Sequence, residues 1–178
     1  VVILDPTITL HTPDWLWFST AIRSVDHAVE GLCSNSTNPL IPPMALNSLQ
    51  LFGNSLRSTY KNRDDIVSRS LSQKAVWMIA KNLGNTPMGA SHGIGYLLGS
   101  IGSVPHGYTS CVMLPAVLKW NESYNKDKQK WIANALGRPN LSASEAVSEL
   151  IKDLGLPTTL SEVGIKAVSY THLRAHET

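Results

Sequence analysis

Two histidines, His92 and His106, lie in a glycine-rich apolar stretch that reads SHGIGYLLGSIGSVPHGYTSCVMLP. They are 14 positions apart. On an unbroken helix that is about 21 Å at 1.5 Å per residue, so one site can use both only if the chain folds back. Pro105 supplies the break. A third histidine, His27, sits far upstream on a strongly amphipathic segment and completes a His/His/His set. Such a set suits a divalent transition metal, and it equally suits proton transfer. Any one of the three taken alone is better explained as a packed or capping histidine.

The elements that must position these side chains read as helices. Thr12 can cap a helix with Pro13 at its first position and Asp14 in its first turn. Apolar residues then recur at Trp15, Phe18, Ile22, Val25, Val29 and Leu32, one buried stripe with steps of three and four. Arg23, Asp26, His27 and Glu30 fall on the other face. Arg23 and His27 are one helical turn apart and can meet the same ligand, while an ordinary solvated charged face explains the same pattern. Pro42 and Pro43 open a second helix through Leu46, Leu49 and Leu56; Asp64 or Asp65 caps a third, carrying Ile66, Leu71, Met78 and Ile79 to a stop at Gly84. Residues 107–124 and 128–136 read as two more, and Ser142 with Glu145 forms a capping box ahead of AVSELIKDLG, ended by Gly155. The opening VVILDP is the one strand-like run, and no internal repeat is present. The fold expected is all-α, with the leading strand pointing to a larger α/β protein.

Composition excludes several classes of function. With 178 residues, 43% hydrophobic and 16% charged, the chain can bury one good core and is not a disordered segment. The net charge of +2 comes without a basic cluster beyond the scattered KDKQK at 126–130, so nucleic acid is not an expected partner. Cys33 and Cys111 form no C-x-x-C pair and are too few for a disulfide framework, which fits a reducing, cytoplasmic setting. No secretion signal or run of 18 apolar residues is visible, so a membrane is not expected either, and the N-x-S/T triplets at Asn35, Asn121 and Asn140 read as chance matches. Gly93, Gly95 and Gly99 miss the dinucleotide fingerprint by one residue and follow no strand, so they read as close helix packing around the site.

The piece HGIGYLLGSIGSVPHG resembles the signature of the iron-containing alcohol dehydrogenases, which typically read His-Ala-Met-Ala-His-x-Leu-Gly, a short loop, then Pro-His-Gly. AIRSVDHAVEGL is similar to that family's Gly-x-Asp-Ala-Leu-x-His-Ala-x-Glu helix, and LDPTITLHTP and TLSEVGI also match in order, so the resemblance runs over roughly residues 3–166. It implies the helical C-terminal domain of a dehydroquinate synthase-like, iron-type alcohol dehydrogenase fold over residues 1–167, without the N-terminal α/β domain that binds NAD(P). Residues 168–178 read as a non-native tail, so its His172 and His176 are set aside.

The resemblance places His27, His92 and His106 at metal-ligand positions, for Fe2+ or Zn2+, and gives His27, His92, His106, Arg23 and Tyr96 as the catalytic set. Two departures matter. The family's aspartate ligand falls on Arg23, and the second histidine of its signature falls on Tyr96. A guanidinium about 5 Å from a divalent ion is repelled by roughly 6–7 kcal/mol at an effective dielectric of 20, which argues against occupancy. Asp26 is an alternative ligand on the same helix, although it projects about 100° around the axis from His27. Maleylacetate reductases, a branch that can work without metal, also replace that aspartate. The reading is therefore NAD(P)H-dependent hydride transfer to a carbonyl, maleylacetate reductase-like, on a small and dicarboxylate substrate, with a homodimer as the candidate assembly. The alternatives are a metal-dependent alcohol dehydrogenase and a non-catalytic helical module. Without a cofactor domain, the face bearing the three histidines is expected to be unusually exposed.

Overall fold

The computed structural model describes residues 1–80 and 86–166 and, among them, contains helices and no strand. The order is a short 3-10 turn at Ile8–His11, then α1 (Asp14–Cys33), α2 (Ile41–Lys61), α3 (Ile66–Ala80), α4 (Ala90–Gly102), α5 (His106–Trp120), α6 (Lys126–Ala135) and α7 (Ala143–Asp153). The expected stop at Gly84 and the boundary at residue 167 lie outside the described residues. The leading strand does not form: Val1–Leu4 are exposed coil, with no neighbouring strand among the described residues to complete a ladder.

α1 runs through the middle, in contact with α2, α3, α4, α5 and α6. Phe18, Ile22, Val25, Val29 and Leu32 are fully buried, as the periodicity requires; Trp15, the first member of that stripe, is half exposed. The helix starts one residue later than Thr12 would place it. Pro13, which has no N–H, takes the cap position, and its carbonyl accepts from Leu16 N and Trp17 N without any side-chain cap. α2 carries prolines in its first turn as expected, and Asp65 caps α3 by accepting from Ser68 N and Ser68 Oγ. α7 has the complete capping box of Ser142 and Glu145, and Gly155 takes a positive φ of 64° just beyond its end.

The fold back at Pro105 is an α4–α5 hairpin. Ser103 takes the left-handed conformation after α4, and Pro105 is the residue before α5, so His106 is the first residue of that helix. Leu98, Val104 and Val112 pack together inside the hairpin with Leu160, Val163 and Ile165, which is where the TLSEVGI segment docks. The hairpin meets α1 at very close range: a Cβ on Gly107 would lie 2.4 Å from Ser19 Oγ and 2.7 Å from the Ser19 backbone carbon. Only glycine admits that crossing. Among the described residues no helix is long and apolar enough to cross a membrane.

Candidate functional site

α1 is buried on both faces. Arg23, Asp26 and Glu30 are 6%, 0% and 6% exposed, so the solvated-face explanation fails and these charges are held against α4 and α5. Burying them is tolerable only because hydrogen bonds surround them.

Glu30 is the most fully bonded. Its carboxylate accepts from Gly89 N at 2.7 Å, Ser91 N at 2.8 Å and His92 Nδ1 at 2.7 Å. The first two are N–H groups at the start of α4, whose own cap residue, Gly89, offers no side chain. A carboxylate from α1 thus caps another helix across 59 residues of sequence, where the helix dipole favours negative charge. A Cβ at Gly89 would lie 2.7 Å from Glu30 Oε1, so glycine is required there too. Burial raises the carboxyl pKa, but the bonds from His92, Ser91 and Gly89 outweigh it, and Glu30 titrates below the usual range.

Asp26 lies deeper. Its Oδ2 accepts from Ser91 Oγ at 2.7 Å and Ser110 Oγ at 2.6 Å, while Oδ1 is buried with no partner among the described residues. Burial, with help from the neighbouring Glu30 charge, pushes its pKa up to about 6 against the pull of His92 and the two serines. Arg23 NH1 donates to Ser110 Oγ at 3.1 Å, and the guanidinium lies 5.7 Å from the Tyr96 ring centre. Gly95 lets α4 approach α5 closely, since a Cβ there would lie 3.0 Å from Thr109 Oγ1 and 3.3 Å from Thr109 Cβ.

Of the expected site residues, the structure brings His27 and His92 directly together, with Nε2 to Nε2 at 3.4 Å and ring centres 4.3 Å apart. His92 is 1% exposed, so the expectation of an open histidine face fails for this residue: α1 and Glu30 cover it without any second domain. His27 is half-buried, with Nδ1 3.4 Å from Met88 Sδ. Burial first, and then the His92 and Arg23 charges, drive its pKa down to about 4. His106 is exposed at the start of α5, its ring 6.1 Å from that of the exposed Tyr96, and burial of part of the ring with the Arg23 charge lowers its pKa. Of the three glycines, Gly95 packs closely as expected, whereas Gly93 faces open space. Glu30, Ser91, Ser110 and Met88 were absent from the sequence-derived set. Glu30 alone had a signal, one turn beyond Asp26 and His27 on the same face.

The donors can be weighed against a divalent ion. Two nitrogens bound at 2.0–2.1 Å to one tetrahedral ion are about 3.4 Å apart, the separation of the His27 and His92 Nε2 atoms. That half of the set fits. The other half does not. Both Glu30 oxygens accept backbone N–H groups, Asp26 Oδ2 belongs to two serines and its open Oδ1 is on a carboxyl that burial pushes toward the neutral form, and the buried guanidinium of Arg23 adds positive charge. The set of three whose ligand atoms lie within 4.8 Å of one another is Asp26, Glu30 and His92, but its centre is taken by the His92 Nδ1 contacts with both carboxylates; His106 joins no such set among the described residues. The residues present do not suit a tightly held divalent ion.

An all-helical domain with histidines on α1, α4 and the start of α5 defines the class. Residues 18–176 match the model of the Fe-containing alcohol dehydrogenase family, C-terminal. The chain belongs to that family. It is similar to Dehydrogenase ALT3 of Alternaria alternata, 34% identical over 93% of this chain and 51% of the relative. It is also similar to a maleylacetate reductase of Burkholderia cepacia, 32% identical over 92% of this chain and 46% of the relative. The fold matches the crystal structure of maleylacetate reductase from Rhizobium sp. strain MTP-10005 with a TM-score of 0.88, 23% identity and coverage of 95% and 47% of the two chains. The chain spans about half the length of the curated relatives it matches.

Proposed function

We propose that this chain is the helical half of an NAD(P)H-dependent carbonyl reductase of the maleylacetate reductase kind, acting on a small dicarboxylate without a resident metal. The observation that carries the reading is Arg23: a buried guanidinium beside two facing imidazoles, at the position the family resemblance gives to a carboxylate ligand. Relatives that bear the name maleylacetate reductase agree with it.

NAD(P)H supplies the hydride. Gly93, Gly95 and Gly99 lie inside α4 and not at a turn between strand and helix, so among the described residues they form no phosphate cradle. What α4 offers is the exposed ring of Tyr96, beside that of His106. As hydride adds to the carbonyl carbon, the π electrons move to oxygen, and the alkoxide takes a proton from an imidazolium, which is left neutral. The donor is His92 or His106; His27, neutral because burial drives its pKa down to about 4, stands against His92 Nε2 at 3.4 Å. Arg23 supplies the positive charge that holds a substrate carboxylate, with one guanidinium nitrogen fixed by Ser110 and its Nε without a partner among the described residues.

One observation favours a second reading, a metal-dependent alcohol dehydrogenase: the ligand-like spacing of the two Nε2 atoms. The test that separates them is NAD(P)H oxidation by the holoenzyme with maleylacetate and with short aldehydes, in the parent protein and in Arg23→Leu. The proposal requires maleylacetate to be preferred and Arg23→Leu to raise its KM with little effect on the aldehydes. Equal losses on both substrates would favour the second reading.

A further inference from the structure

We infer that Glu30 is a positioning residue that fixes the proton of His92 on Nδ1, making Nε2 the basic atom that faces His27 and, on the proposed function, the substrate. The inference rests on that reading only for the presence of a substrate; the hydrogen bonds stand without it.

The logic is one of donors and acceptors. Glu30 receives the N–H of Gly89 on Oε2 and that of Ser91 on Oε1, groups that can only donate, and a carboxyl engaged in this way on both oxygens is a carboxylate with only acceptor positions. The third contact, His92 Nδ1 at 2.7 Å, must therefore carry its hydrogen on the ring. With Nδ1 protonated, neutral His92 has its lone pair on Nε2, which points at His27 Nε2 from 3.4 Å away. The ring cannot turn over to reverse this, because it is 1% exposed and Asp26, a second carboxylate, lies 3.5 Å from the same Nδ1. A carboxylate orienting an imidazole through one nitrogen so that the other meets the reacting group is a recurring device in acid–base and ligand sites. Here the same carboxylate also caps α4, the helix that carries His92, so the orientation of the ring and the start of its helix are set by one side chain.

The substitution Glu30→Ala removes the acceptor. Oε2 takes both Gly89 N and His92 Nδ1 while Oε1 takes Ser91 N, so without the carboxylate His92 Nδ1 loses its partner at 2.7 Å and the ring hydrogen moves to Nε2, which faces His27 Nε2. The experiment is a long-range 1H–15N correlation spectrum of 15N-histidine-labelled protein, with His92 assigned by the signals lost in His92→Gln. The expected result is a pyrrole-type Nδ1 and a pyridine-type Nε2 in the parent, exchanged in Glu30→Ala. A capping role alone would leave the ring pattern unmoved. In the holoenzyme, Glu30→Ala should lower kcat about 10–100-fold with KM changed little. An Nε2–H ring in the parent, or an unchanged pattern in a folded Glu30→Ala, overturns the inference. If that variant does not fold, the parent spectrum decides alone. A normal tautomer result with no effect on kcat would instead count against the proposed reductase chemistry.

Discussion

Arg23 and Asp26 are one turn apart on α1 and share the same buried space, yet their closest charged atoms are 3.9 Å apart. The hydroxyl of Ser110 stands between them, accepting from the guanidinium at 3.1 Å and donating to the carboxylate at 2.6 Å. The pair is thus a long ion pair that α5 bridges by a hydrogen-bond relay. Removing that hydroxyl leaves a buried donor and a buried acceptor short of a partner, so Ser110→Ala should destabilise the protein by about 1–3 kcal/mol, read from the urea midpoint. A change within about 0.5 kcal/mol would mean that Arg23 closes directly on Asp26.

The stripe on the opposite side of α1 gives a sharper stability test. Val25 is fully buried among apolar residues, and an aspartate there would be an unpaired charge. Val25→Asp should cost about 3 kcal/mol or more and leave little folded protein at 37 °C by circular dichroism. A thermal midpoint close to the parent's would place Val25 at the surface.

The α1–α5 crossing makes Gly107 irreplaceable for steric reasons. Gly107→Ala sets a methyl group against the Ser19 backbone, so the two helices must part, at a cost of about 1–3 kcal/mol. Adding Ser19→Ala should restore little, because the backbone carbon at 2.7 Å remains. Full recovery in the double variant would show that only the hydroxyl obstructs.

Acid stability should show two opposing signs. His27, with its pKa down near 4 from an ordinary 6.5, resists a proton that the unfolded chain accepts, so its contribution is lost as pH falls from 6.5 toward 4. Asp26, up near 6 from 3.8, takes a proton more readily when folded, so its contribution grows over much the same range. Asp26→Asn removes the second effect. Its unfolding free energy should fall more steeply than the parent's between pH 6.5 and 4.5. Parallel curves would mean that Asp26 does not titrate in that window.

How much of this could be read from the chain follows from what periodicity and punctuation encode. The stripe from Phe18 to Leu32, the break at Pro105 and the Ser142–Glu145 box are local patterns, and each is present as read. The burial of Arg23, Asp26 and Glu30 is not local, because what covers them is a hairpin more than 55 residues away, reached through Ser91, Ser110 and Gly89. Periodicity distinguished two faces of α1 but not whether the second met water or protein. Thr12 failed as a cap because Pro13 took the position, a competition between two good starters that spacing alone does not decide.

The claim that matters most is that the site works without a divalent metal, with Arg23 where a ligand carboxylate would be. The most direct measurement is the rate of NAD(P)H oxidation with maleylacetate on one preparation of the holoenzyme before and after exhaustive chelation, with iron and zinc determined on the same sample. The result expected is far less than one metal per chain and a rate that chelation leaves unchanged. Near-stoichiometric iron or zinc, with activity lost on chelation and restored by the metal, would contradict the account and establish the metal-dependent reading in its place.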